Sequence, residues 1–228
     1  MTLLSRGRWI TGLGLVLLAG VYVRALAFTP LERFQGPAQK IFYVHVPAAW
    51  CAMLAMGLVG IASILYLLLK DPRFDRFGEA SAEVGTAFSL VMLTTGPIWA
   101  KPIWGTWWTW DARLTLTLFL FLLFLGYLLL RGAVTEPGLR ARYSAVLGIC
   151  GLVLLPFIHL SVYLFRTLHP QPIVLKPSAP SLPGPMLVTL LLSFGVFTLL
   201  YVGFVVQRYA LGLWREQGER SGGGRTHA

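Results

Sequence analysis

The sequence predicts an all-α membrane protein, folded as a polytopic bundle of six transmembrane helices. Hydrophobic residues make up 56% of its 228 residues and charged residues only 12%, whereas soluble domains average about 25% charged residues. Six stretches lack Asp, Glu, Lys and Arg altogether. They are close to or above the roughly 17–25 helical residues that cross a bilayer core, so each is expected to supply one helix.

These stretches are residues 9–23, 41–69, 84–100, 114–130, 143–165 and 177–207. The first is short until Arg24 extends its charged head to the membrane surface, which lengthens the helix to about Phe28. We do not expect a cleaved signal peptide there, because no small-residue cleavage pattern follows it cleanly. The second and sixth exceed one span and must include loop. The sixth becomes continuously apolar only from about Met186.

The six helices are predicted to form one domain, residues 1–214. The remaining residues, 215–228, are polar and rich in charge and glycine. This composition is typical of a disordered segment, so we predict a cytoplasmic polar tail there. The histidine within it, His227, is given no role.

The distribution of Lys and Arg predicts the orientation. Six spans place both termini on one side, where twelve basic residues lie against seven on the other side. The richer side is expected to be cytoplasmic, which predicts a multi-pass protein of the cytoplasmic (inner) membrane with both termini inside. The seven outer basic residues are Arg24, Arg33, Lys40, Lys101, Arg113, Arg166 and Lys176.

The outer side is also strongly positive, because its seven basic residues face only two acids, Glu32 and Asp111, a net of +5. One interpretation is that Lys and Arg at the helix ends serve the membrane lipid. The other is that they hold an anionic ligand, since arginine meets carboxylates through paired hydrogen bonds. A nucleic acid is excluded as the partner, because the chain has no soluble domain to bind it.

Five of the eight tryptophans fall within twelve residues, in a run from residue 99 to residue 110. They are Trp99, Trp104, Trp107, Trp108 and Trp110. Tryptophan favours the membrane surface in general, which is one account of the run. The run is expected to form a loop between two helices, where no helix face needs filling. A flat aromatic floor for a flat aromatic ligand is therefore the interpretation we favour.

Two histidines are predicted to lie on the same outer side. His45 precedes Pro47, which suits the first turn of a helix, and His169 follows the fifth helix. Each could simply be an amphipathic side chain at the interface. Together with the tryptophans and the excess positive charge, however, the pair indicates axial ligation of a haem whose propionates meet Arg or Lys.

Four other residues have less decided roles. His159 lies inside the fifth helix, where an intramembrane histidine is either functional or bonded to a neighbouring helix. Asp111 directly precedes an apolar helix and is expected to be its N-cap, with a possible second role in orienting Arg113. Cys51 and Cys150 are expected at different depths, so no disulfide is predicted.

The segment from Pro170 to Pro185 contains six prolines and is therefore expected to be extended. It would act either as a stiff spacer or as an outer docking surface for a soluble partner. The sequence alone leaves both interpretations open.

Three segments resemble one family. Residues 104–115 read WGTWWTWDARLT and are similar to the tryptophan-rich WWD motif of the haem-handling family of cytochrome c biogenesis. The similarity extends to residues 43–50, YVHVPAAW, and to residues 167–169, TLH. The size, the six helices and the order histidine, WWD, histidine resemble the haem exporter branch of that family, CcmC, over essentially the whole chain. The related haem lyase branch shares the WWD loop but is far longer.

The resemblance implies a site and partners. It implies that haem b is held non-covalently and transiently at the periplasmic face by His45 and His169. The expected partners are the haem chaperone CcmE, the ABC transporter pair CcmA and CcmB, and the small accessory protein CcmD. The expected haem platform is Trp104, Trp107, Trp108, Trp110 and Asp111. The expected propionate contacts are Arg113 first, then Lys101 and Arg166.

We expect no enzymatic activity, because no nucleotide-binding loop and no nucleophile–base set is present in the sequence. Two other functions stay open. A b-type haem protein for electron transfer needs histidines at matching depths within the membrane, where only His159 clearly lies. A scaffold component of an ABC transporter that binds nothing itself would leave the tryptophan run and the outer charge unexplained.

Overall fold

A computed structural model of the chain describes residues 2–174, 176 and 178–223. Within them the fold is all-α, as predicted, and the one β-type feature is an isolated bridge between Glu32 and Gly36. Short π-helical and 3-10 segments, Arg24–Phe28 and Pro37–Ile41, end the first helix and lead into the second. The helices are α1 (Leu3–Val23), α2 (Phe42–Leu69), α3 (Pro72–Trp104), α4 (Ala112–Ala133), α5 (Pro137–Leu164) and α6 (Gly184–Gly223).

Five of the six helices are long and apolar enough to cross a membrane, namely all except α3. The α3 helix has 33 residues, which makes it about 50 Å long at 1.5 Å per residue. Its length is therefore sufficient, but its first turns carry charged residues, among them Asp75, Glu79 and Glu83. The structure thus supports a membrane bundle with five apolar spans.

Helices α2, α3, α4 and α5 form a ring in which each packs against the next, and α5 closes onto α2. Helix α6 lies against α2 and α3, and α1 packs mainly on α6. Glycines allow the closest approaches between neighbouring helices. A Cβ built on Gly60 would lie 2.4 Å from Leu152, and one built on Gly85 would lie 2.5 Å from Phe124. These contacts pair α2 with α5, and α3 with α4, in antiparallel fashion.

The antiparallel packing gives the bundle two distinct ends. His45 and His169 lie at one end, which we call the histidine end. The opposite end, which we call the termini end, holds the start of α1 and the end of α6, since Gly7 packs against Gln207. The start of α1 and the end of α6 thus lie at the same end of the bundle, and the two histidines lie at the other end.

Side-chain caps fix where α3 and α4 begin. Asp71 accepts a hydrogen bond from the backbone N–H of Arg73, and Pro72 follows at the first helical position, where its missing N–H costs nothing. Asp111 accepts from the backbone N–H of Leu114 at 3.0 Å, so its predicted role as an N-cap is confirmed. Helix α3 ends at Gly105, whose φ of 74° suits a residue without a Cβ.

Helix α3 corrects the prediction for the tryptophan run. The helix continues through Pro97 and Pro102, so Trp99 and Trp104 lie on a helix and only the segment from Gly105 to Asp111 is a loop. We call residues 105–111 the tryptophan loop. Proline is tolerated within membrane helices because neighbouring groups satisfy the carbonyls that it leaves free.

Pro47 likewise differs from its prediction. It lies inside α2, in the second turn rather than the first, because the helix already begins at Phe42. The preceding 3-10 segment ends at Ile41, directly before the first residue of α2. His45 therefore sits within the helix rather than at its first residue, and its side chain is held by the packing of α2 against α3.

The termini end holds the ion pairs. Arg131 of α4 bonds Asp75 at 2.6 Å and Glu79 at 2.8 Å, and Arg208 of α6 pairs with Glu83. The acids of α3 thus tie three helices together. All ion pairs found among the described residues, including Arg73 with Asp71 and Arg76 with Glu216, lie at this end.

The pair between Arg76 and Glu216 bears on the predicted tail. Helix α6 continues to Gly223, so the prediction that the tail is disordered is wrong for residues 215–223. Within this segment, Glu216 pairs with Arg76 and so joins the end of α6 to α3. Residues 224–228, with His227, lie outside the described residues, and the domain boundary at residue 214 stays a prediction. Cys51 and Cys150 are both free, as predicted.

Candidate functional site

A cavity of about 390 Å³ lies at the histidine end, within the range of roughly 300–1,000 Å³ for small-molecule sites. Its walls come from α2 to α6 and from the proline-rich segment. Three of the four histidines line it, because His159 faces it from α5 beside the two predicted ligands. The other predicted site residues that line it are Trp104, Trp107, Trp108 and Arg113. Those that lie outside the lining are Lys101, Trp110, Asp111 and Arg166.

His45 is held by three residues of α3. Its Nδ1 lies 3.1 Å from the hydroxyl of Thr95. The Trp99 ring meets its ring edge-on at 5.7 Å. Gly96 leaves room for the imidazole, because a Cβ built there would lie 3.1 Å from Cε1. The spacing of these residues, i, i+1 and i+4, turns one face of α3 towards the histidine.

His169 is oriented by its own segment. Its Nδ1 lies 2.9 Å from the carbonyl oxygen of Pro170, which can only accept, so Nδ1 carries the proton and Nε2 keeps its lone pair. Burial and the nearby Arg113 guanidinium lower the pKa of His169 to about 4. The ring is therefore neutral at physiological pH, which is the form that binds metals.

Asp111 connects the two halves of the site, although it does not line the cavity. Its carboxylate caps α4 and accepts from the Thr109 hydroxyl at 3.2 Å. It also accepts from the backbone N–H of Leu168 at 3.3 Å, next to His169 in the chain. One side chain therefore fixes the tryptophan loop to the histidine-bearing segment.

The tryptophans are divided between cavity and surface. The indole N–H of Trp108 is buried and has no hydrogen-bond partner among the described residues. Trp108 meets Trp110 edge-on at 5.8 Å, and Trp110 is 76% exposed. Trp107 lines the cavity and is also 56% exposed. The loop therefore has one buried indole N–H, that of Trp108, whose residue lines the cavity, and two indoles exposed at the surface.

The basic residues at the histidine end have neutral partners. Arg113 donates to the backbone carbonyl of Ile158 at 2.8 Å, and Lys101 donates to that of Gly105 at 2.9 Å. Arg166 is exposed. Among the described residues, no basic side chain at this end forms an ion pair with an acid. The carboxylate nearest in the lining, that of Glu32, therefore has no direct ion pair with these basic groups among the described residues.

The structure adds lining residues that the sequence pattern did not single out. Gln35 accepts from the Trp99 indole at 3.1 Å, and it lines the cavity. The proline-rich segment also contributes, since Ile173 and Val174 pack against an apolar cluster of Phe42, Tyr43 and Leu190. The segment is therefore a cavity wall. The apolar residues of this segment could have indicated its role as a cavity wall, whereas nothing in the sequence indicated that Gln35 lines the cavity.

Comparisons with known proteins identify the family of the chain. The chain matches the family model described as Heme exporter protein C over residues 3–221. It is 42% identical to a heme exporter protein C of Bradyrhizobium diazoefficiens over 195 residues, which cover 85% of this chain and 73% of the relative. The corresponding protein of Haemophilus influenzae is 40% identical over 208 residues, which are 91% and 85% of the two chains.

A mitochondrial relative is similar over much the same length. It is a putative cytochrome c biosynthesis ccmC-like protein of Arabidopsis thaliana, 36% identical over 196 residues, or 86% of this chain and 74% of the relative. The family name describes a transport component and not a catalyst. The chain therefore belongs to the heme exporter protein C family, the transmembrane haem-transport proteins of cytochrome c biogenesis.

Proposed function

We propose that this protein holds haem b non-covalently and transiently between His45 and His169. The haem would sit at the outer face of the cytoplasmic membrane and pass to the periplasmic chaperone CcmE. The observation that carries the proposal is the meeting of both histidines with Trp104, Trp107, Trp108 and Arg113 around one cavity. These residues come from segments far apart in the chain, and a scaffold that binds nothing would not require them to meet.

The cavity chemistry fits a haem. The walls between the two histidines are mainly apolar, with Met53, Met92 and Ile103 among them, which suits a flat macrocycle. Aromatic contacts with the tryptophans would add about 0.5–1.5 kcal/mol each beyond area burial. The protein would bind and orient the group, and the chemistry would belong to the haem itself.

Arg113 is the proposed propionate contact. It lines the cavity, and its side chain donates to a neutral carbonyl. A charge-assisted bond to a carboxylate is stronger than a bond to such an acceptor. Lys101 and Arg166 are proposed as secondary contacts, since they lie outside the cavity lining.

Release to the chaperone requires an accessible haem edge. Trp107 lines the cavity and is also exposed at the surface, and Trp110 of the same loop is exposed as well. A chaperone domain docked there would meet the haem directly. We therefore infer a transient complex in which haem bridges the two proteins.

Pull-down of the chaperone tests this function. Binding of CcmE is expected to depend on haem and to weaken in Trp107→Ala, Trp108→Ala and Asp111→Ala, because each disturbs the loop that presents the haem. Trp214→Ala is the matched control, since Trp214 is 55% exposed but lies at the termini end. Haem-independent association that none of these substitutions changes would mark the chain as a docking scaffold instead.

The proposal includes a six-span topology with α3 as the third span. The histidine end would then be periplasmic and both termini cytoplasmic, in agreement with the distribution of Lys and Arg. The ion pairs of α3 at the termini end would let its charged turns enter the membrane interface. ATP hydrolysis would belong to CcmA and CcmB, with CcmD as a small accessory protein.

Reporter fusions test this topology. Fusions after residues 105 and 178 are expected to report a periplasmic location, because they lie at the histidine end. Fusions after residues 75, 137 and 220 are expected to report a cytoplasmic location. A cytoplasmic signal from residue 105 would contradict the whole arrangement of the ligand site.

A further inference from the structure

The hydroxyl of Thr95 has a defined hydrogen-bond direction. It lies 2.6 Å from the backbone carbonyl of Val91, one turn earlier in α3, and 3.1 Å from Nδ1 of His45. A hydroxyl has one hydrogen to donate. The shorter contact, to an oxygen that can only accept, takes that hydrogen. Towards His45, Thr95 is therefore an acceptor, and Nδ1 of His45 is the donor.

The surroundings of His45 agree with this assignment. Trp99 and Gly96 enclose the ring from the same helix. A ring turned by 180° about its Cβ–Cγ bond would bring Cδ2 instead of Nδ1 to the Thr95 oxygen and lose the bond, so the contact favours both the protonated Nδ1 and this orientation of the ring.

We propose that Thr95 is a positioning residue, which holds His45 as the Nδ1–H tautomer so that Nε2 presents its lone pair to the cavity. This inference rests on the proposed function, because the iron that Nε2 would bind is that of the proposed haem. His169 reaches the same tautomer through the carbonyl of Pro170. The two halves of the site thus use different acceptors, a side-chain hydroxyl on α3 and a backbone carbonyl in a loop, to expose the same ring atom.

The consequence for ligation is direct. A histidine whose distal N–H is bonded to an acceptor is a more basic and better oriented metal ligand, and loss of such a partner typically costs about 10- to 100-fold in metal affinity. The α2 histidine depends on one hydroxyl that a single substitution removes. The loop histidine depends on a backbone carbonyl that no side-chain substitution removes. Substitution of Thr95 should therefore affect His45 alone.

The test compares Thr95→Val with a neighbour on the same helix. Valine keeps the shape of threonine and removes the hydroxyl. Thr95→Ser restores the hydroxyl. Thr94→Val is the matched control, because Thr94 also bonds a carbonyl one turn earlier, that of Leu90 at 2.9 Å, but its hydroxyl is not bonded to His45. Folding of each variant is checked by its thermal unfolding midpoint.

The first readout is ¹⁵N NMR of the haem-free, histidine-labelled protein, which resolves the two tautomers. In the native protein, Thr94→Val and Thr95→Ser, His45 is expected as the Nδ1–H form. In Thr95→Val it is expected to shift to a mixture or to the Nε2–H form, while His169 is unchanged. Retention of a pure Nδ1–H form in Thr95→Val would overturn the proposal.

The second readout is haemin titration followed by absorption and electron paramagnetic resonance. Thr95→Val is expected to weaken haem binding by about 10- to 100-fold and to change the low-spin signature, with rescue by Thr95→Ser. An unchanged affinity and signature would show that Thr95 does not tune the ligand. If the tautomer shifts as expected but even the native protein binds no haem, Thr95 still positions His45 and the proposed function fails instead.

Discussion

Replacement of His45 or His169 by alanine is expected to abolish the low-spin haem spectrum of the purified protein. Each histidine supplies one neutral nitrogen to the iron in the proposed site, so either variant leaves the haem with a single protein ligand. Loss of an outer hydrogen-bond partner already costs about 10- to 100-fold in metal affinity, and loss of the ligand itself should cost at least that. Haemin titration monitored at the Soret band measures the change.

His159→Ala is the matched control for this experiment. His159 lines the same cavity, but it lies within α5, where its ring packs near Tyr163 at 6.1 Å. Its removal is expected to leave the low-spin signature in place. Added imidazole should partly restore the signature in His45→Ala by entering the vacated position. If His159→Ala alone removed the haem while the other two variants retained it, the ligand assignment would be wrong.

Arg131→Ala is expected to produce the largest loss of stability. The Arg131 side chain is 5% exposed and pairs with both Asp75 and Glu79. Its removal leaves the carboxylates of Asp75 and Glu79, which lie one turn apart on α3, without their shared cation. Breaking a buried ion pair by removing one partner costs about 3–5 kcal/mol. Equilibrium denaturation in mixed detergent micelles measures this free energy of unfolding.

Arg73→Ala provides the comparison. Arg73 forms an ion pair with Asp71, but its side chain is 76% exposed, and exposed pairs contribute little because water screens them. We therefore expect no measurable change in unfolding free energy from this variant. Equal effects of the two substitutions would show that the buried network does not stabilise the contact between α3 and α4. Haem binding by the folded fraction of Arg131→Ala should be unchanged, since the network lies at the termini end.

The number and order of the helices could be predicted from the sequence because they depend on local composition. A charge-free stretch of sufficient length forms a helix wherever it lies, since no water is present in the membrane to bond its backbone. The position of His169 beyond the fifth helix followed from this rule, and the end of the first helix near Phe28 also required that Arg24 extend its charged head to the membrane surface. Helix parity then placed His45, the tryptophan run and His169 at one end.

The helix ends were harder to predict, because tertiary contacts decide them. Proline normally interrupts a helix, yet α3 passes through Pro97 and Pro102 while packed against α2 and α4. Residues 215–223 are polar enough to be disordered in isolation, but α6 extends through them, with Glu216 held by Arg76. In both places, contacts between distant segments outweighed the local preference.

The amino-acid sequence by itself determined the class of this protein, its helix order and the residue types at its site. Only the tertiary structure decided which of those residues meet. Trp108 turns its indole N–H into the interior while Trp110, two residues away, lies at the surface, and no periodicity in a loop distinguishes them. Thr95 and Thr94 are equivalent in sequence, but only Thr95 reaches His45. The physical reason is that helix formation depends on neighbours within a few residues, whereas these contacts join groups about fifty residues apart, such as Asp111 with Leu168 and His45 with Thr95.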